Sequence, residues 1–84
     1  MLGSRLGEMS ENTQLVEQLK DVPVVRVFAD KIVEHRAAGR INHVTVYEDR
    51  LRDIISVVAH LSGRELSGDD AAQVIQGLVQ RSEA

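Results

Sequence analysis

Asp49, Asp53, Ser56 and His60 are the residues whose types and spacing come nearest to chemistry. At about 100° per residue they fall on one strip of a helix, within roughly 60° of one another. An acid one turn from a serine and a histidine would suit proton transfer or a divalent cation. The arrangement lacks what either task needs. A single convex helix face supplies no pocket, no oxyanion donors and no exclusion of water. Asp53 and His60 stand about two turns apart, without the second histidine at i+4 that a zinc-binding helix uses. The strip is expected to be a solvated polar face.

Two further constellations are candidates for binding. His35, Arg36, Arg40 and His43 form a basic corner at the end of one segment and the start of the next, where an anion or a partner could be held if the donors converge. The same cations also complement the negative end of a helix dipole, which accounts for them without any ligand. His35 falls in line with Val24, Phe28 and Ile32, so it is expected to be a partly buried histidine bonded to a carbonyl. A pH-sensitive interface histidine is the other reading. The second set is Gln73, Gln76, Gly77 and Gln80. Glycine inside a helix costs about 1 kcal/mol relative to alanine, and uncharged glutamines around a small residue resemble a surface that a partner approaches closely. On that reading Gly77→Ala stabilises the isolated domain and Gly77→Arg weakens association.

Composition removes other functions. The chain has 84 residues and no cysteine, which excludes a disulfide framework and thiolate zinc sites. Phe28 and Tyr47 are its only aromatics, too few to stack single-stranded nucleic acid or a flat cofactor. Net charge is −3 with mixed signs, unlike the footprint of a strong phosphate binder. No Gly-rich phosphate loop, metal-ligand spacing or nucleophile elbow occurs. The expectations are no enzyme, no cofactor and no metal. No apolar run approaches a membrane span and MLGSRLGEMSENT has no apolar h-region, so a soluble, cytoplasmic chain with no membrane partner is expected. At 43% hydrophobic residues the chain can build a core. A domain this small is marginal alone, and self-association adds burial.

The elements that must position these residues are helical. Residues 1–8 read as a flexible tail, 9–81 as one helical domain and 82–84 as a second tail. Met9, Leu15, Val16 and Leu19 share a face. Val22 precedes Pro23 and is pushed out of the α region, so that helix stops near Lys20 or Asp21. Pro23 opens the next helix, with Val24, Val25, Val27, Phe28 and Ile32 as its stripe and Gly39 as its stop. VPVVRVF and INHVTVY are β-branched enough to be strands instead. Thr45 and Glu48 have capping-box spacing, opening a third helix with Tyr47, Leu51, Ile54, Ile55, Val58 and Leu61 on its core face and Gly63 at its end. Ser67 caps a fourth helix, with Asp69 and Asp70 in its first turn and Ala71, Ala72, Val74, Ile75, Leu78 and Val79 facing the core. The predicted fold is all-α, a small bundle of three to four short amphipathic helices.

The stretch HVTVYEDRLRDIISVVAHLSGRELSGDDAAQVIQGLVQ also resembles the ribbon-helix-helix order of short strand, helix, glycine turn and helix. That resemblance implies a strand at 41–47 that pairs in a dimer and enters the DNA major groove, presenting His43, Thr45 and Tyr47. The sequence departs from that pattern in two places. Asp69 and Asp70 stand where the family anchors a phosphate, and 41–47 carries no Lys or Arg. The leading expectation is therefore a non-enzymatic protein-interaction module, an adaptor, inhibitor or assembly subunit that binds another protein and itself. A DNA-binding regulator using 41–47 is the alternative.

Overall fold

The computed structural model describes residues 11–83. The expected tail at 1–8, Met9 and Ala84 lie outside the described residues. Four helices and no strand are present among them: α1 (Glu11–Leu19), α2 (Pro23–Ala37), α3 (Ile41–Leu61) and α4 (Gly68–Glu83). The all-α bundle expected from the apolar periodicity is the fold.

Each boundary has a local cause. Val22 has φ −72° and ψ 124° and Pro23 opens α2, as proline demands of itself and of the residue before it. At the end of α2 the chain turns through Gly39, φ +76°. Gly39 N–H donates to the Arg36 carbonyl (3.1 Å) and Arg40 N–H to the His35 carbonyl (2.9 Å), the paired bonds of a Schellman motif. The same device closes α3, where Gly63 has φ +80° and Arg64 N–H reaches the Ala59 carbonyl at 2.8 Å. Ser67 caps α4 as expected, its Oγ accepting from Asp70 N–H at 3.1 Å.

Several expectations are corrected. Residues 41–47 are the first two turns of α3, not a strand, so the ribbon of the ribbon-helix-helix resemblance is absent. Val44 is buried in line with Leu51 and Ile55, and that burial outweighs the strand preference of VTVY. Thr45 is consequently inside the helix, and its Oγ donates back to the Ile41 carbonyl at 3.2 Å, a bond typical of mid-helix threonine. In VPVVRVF only Val22 is extended, and 23–28 are helical. The buried residues of α2 are Val25, Ala29, Ile32 and His35, while Val24 and Val27 are exposed. In α3 Ile54 and Val58 are half-buried at the core margin, and Leu61 is exposed. Ala72 is exposed on α4, and the helix continues through Ser82 and Glu83, two of the residues expected as a tail.

The α2–α3 hairpin is tied by the three-residue turn at 38–40, and α4 lies against both its helices and against α1. Leu15, Val25, Ile32, Leu51, Ile55, Val74 and Val79 are the largest fully buried side chains. Since α1 packs mainly on α4, α4 is the common partner of every other helix. No helix among the described residues is long and apolar enough to cross a membrane.

Candidate functional site

The basic corner is brought together in part. His35 is buried at 9% exposure, with the His43 ring stacked on it at 4.8 Å and the Tyr47 ring at 5.5 Å. Phe28 completes the row against Tyr47 at 5.8 Å, so the two aromatics and two of the three histidines meet at the α2–α3 junction. Instead of bonding a carbonyl, His35 accepts at Nδ1 from Arg40 Nε at 2.7 Å. The contact requires Nδ1 to be unprotonated, which places the proton of the neutral ring on Nε2. Burial holds the His35 pKa below the ordinary histidine value, aided by the positive charges of Arg40 and His43.

These contacts bear on anion binding. Arg40 is joined to His35 by backbone and side chain, and its Nη2 lies 3.9 Å from Glu34. Arg36 leaves the corner and pairs with Glu48 at 3.1 Å, on the side of the hairpin where Ala72, Ile75 and Gln76 of α4 close a surface pocket. The two guanidiniums therefore diverge, each with an internal partner, whereas a phosphate clamp needs convergent free donors. The cations close the end of α2.

The glutamine face is also divided. Gln73, Gly77 and Gln80 line a shallow groove between α1 and α4, bordered by Asn12, Val16 and Arg81. Gln76 points to the pocket beside Arg36 and Glu48. The close neighbour of Gly77 belongs to its own chain: a Cβ there would stand 2.8 Å from Val16 Cγ2. Around this contact Asn12 Nδ2 donates to Asp70 (3.1 Å) and Gln73 (2.9 Å), and Arg81 pairs with Glu17. The glycine thus lets α1 and α4 approach, which supplies the reason first sought in an outside partner. Of the catalytic-looking strip, Asp49 pairs with Arg52 at 2.6 Å, and Ser56 and His60 border an open surface pocket with Arg64, Glu65 and Leu66.

The surface that sequence reasoning missed is the outer edge of the hairpin. Glu48 and Arg52 lie on the α4 side of α3. Roughly 100–180° around the helix from them run Tyr47, Ile54, Val57 and Leu61. Val57 is 58% exposed and Leu61 80%, and Val24 and Val27 on α2 are also exposed. The signal was present in the spacing. Residues 43, 47, 50, 54, 57 and 61 repeat at intervals of 4, 3, 4, 3 and 4, a heptad seam beside the core stripe. No family model, curated protein or solved structure matches the chain.

Proposed function

We propose that this chain is a non-enzymatic, cytoplasmic protein-interaction module, an adaptor, inhibitor or assembly subunit, which self-associates and docks through the outer edge of α2 and α3. One observation carries the reading: α3 is a 21-residue helix whose own chain fully buries the stripe of Val44, Leu51, Ile55 and Ala59, while Val57 and Leu61 on the adjoining stripe stand exposed. Large aliphatic side chains grouped at helical spacing on a small domain favour burial by about 25 cal/mol per Å² removed from water, and such groups mark interaction surfaces. The aromatic row at the junction adds ring area at the end of the same edge, the kind of residue that dominates binding energy. The internal pairing of Arg36 and Arg40 and the open, convex setting of Asp49, Ser56 and His60 support binding over catalysis.

The reading is tested with the full chain and a Leu61→Asp variant, each immobilised and exposed to an extract of the source cell, with the solution mass of each measured in parallel. Leu61 is exposed, so the variant keeps its helical circular dichroism. The parent is expected to associate, with itself or with a retained protein, and the variant to lose that association. A parent that is strictly monomeric and retains nothing refutes the module.

A further inference from the structure

We infer that the occupant of the α3 outer edge is the same edge of a second copy, packed antiparallel about a twofold axis near the level of Arg52. This rests on the interaction-module reading and names its partner. The seam His43, Tyr47, Arg50, Ile54, Val57 and Leu61 has intervals of 4, 3, 4, 3 and 4, a pattern that reads the same from either end. An antiparallel copy therefore meets it in register. His43 comes opposite the second copy's Leu61, Tyr47 opposite its Val57, and Arg50 opposite its Ile54. A parallel copy would instead place Arg50 beside Arg50, two like charges on one seam. The seam extends over about 27 Å of helix, and pairing it brings two α2–α3 hairpins into a four-helix arrangement.

Charge selects the same pairing. Asp53 lies about 60° from Arg50 on the flank of the seam. Because an antiparallel twofold keeps equivalent flanks on the same side, Arg50 of each copy comes within one residue, about 1.5 Å along the helix, of Asp53 of the other. Both side chains are exposed, and neither forms an ion pair among the described residues, although Arg52 and Asp49 beside them are paired with each other. Two symmetric Arg50–Asp53 bridges across the axis would complete them, an isologous contact of the usual C2 kind.

The test is the solution mass of the full chain, by sedimentation over a range of concentrations reaching about 100 μM, where even a weak small interface is populated. A dimer is expected. Arg50→Asp alone and Asp53→Arg alone should each weaken it about tenfold or more, through like charges facing across the axis. The double variant Arg50→Asp/Asp53→Arg should return to within about threefold of the parent. Circular dichroism confirms that the exposed substitutions leave the fold intact. A monomer at every concentration, single reversals without effect, or a double variant as weak as the singles overturns the antiparallel pairing. If the chain is monomeric yet Leu61→Asp still abolishes capture of a different protein, the second copy is refuted and the module stands.

Discussion

Gly77 is the residue whose meaning changes most between sequence and structure. Its helix position costs about 1 kcal/mol of propensity, and without a fold in view that cost suggests an outside partner. The structure places Val16, itself buried, against it, at a distance of 2.8 Å from where a Cβ would stand. Valine is β-branched and stiff at χ1, so its methyl cannot easily turn away. Alanine at 77 would gain helix propensity but overpack the contact, a fault that costs about 1–3 kcal/mol. The expectation of a stabilising Gly77→Ala is therefore reversed. Urea denaturation should show the variant destabilised by about 1 kcal/mol, and combining it with Val16→Ala should cost clearly less than the two single losses added together. A Gly77→Ala chain as stable as the parent would mean that α1 sits more loosely on α4 than this geometry requires.

Among the elements, α4 was the most legible, wrong only in the face of Ala72 and in its last residues, because a serine cap, two acids in the first turn and one apolar stripe all agree. The type of α3 was less so. Its first two turns carry a β-branched run, and Thr45 and Glu48 offer a capping box that the chain does not use; the packing of Val44 in the core decides between them. Its face was misread for a related reason. Core and seam stripes adjoin at Tyr47, Ile54 and Val58, and periodicity merges two neighbouring stripes into one broad face. Leu51 and Ile54 separate them. Leu51 is fully buried, so Leu51→Ala should cost about 2–5 kcal/mol and leave a small domain with little stability. Ile54 is half-buried at the core margin. At concentrations low enough to keep the chain monomeric, Ile54→Ala should lower the melting temperature far less than Leu51→Ala, while weakening association at higher concentration. Equal thermal losses would place Ile54 in the core and remove the seam.

At the scale of the whole molecule, stability should respond to acid in two ranges. The groups facing His35 are Lys31, Glu34, Arg40 and His43, together with the Tyr47 ring. Its pKa is lowered from the ordinary 6.5, so the unfolded chain takes up its proton first as the pH falls. Its contribution is complete above 6.5 and is lost as the pH drops below that value and through the folded-state one. Protonation also displaces Arg40 from Nδ1. Asp70, hydrogen-bonded by Asn12 and Ser67, and Glu17, bonded by Lys20 and paired with Arg81, are both lowered. They contribute above their ordinary values of 3.8 and 4.5, and that contribution disappears as the pH falls through their folded-state values. Melting curves should therefore decline first below pH 6.5 and again below about pH 4.5, with His35→Phe flattening only the first decline. A variant that keeps the parent's slope just below pH 6.5 would assign that step to other groups.

The position of α4 in the chain has a consequence during synthesis. A ribosome makes α1, α2 and α3 before the helix against which all three pack, and only the α2–α3 hairpin can form its contacts in the meantime. Val74, Ile75, Leu78 and Val79 follow all three, so Leu15 and Leu19, whose helix packs mainly on α4, wait for their principal cover, and Leu51 and Ile55 wait for part of theirs. A nascent chain in that state is at its most adhesive. Emergence of α4 is then the event that converts three tethered helices into a domain, and any pause before residue 68 prolongs the interval in which neighbouring nascent chains can find one another.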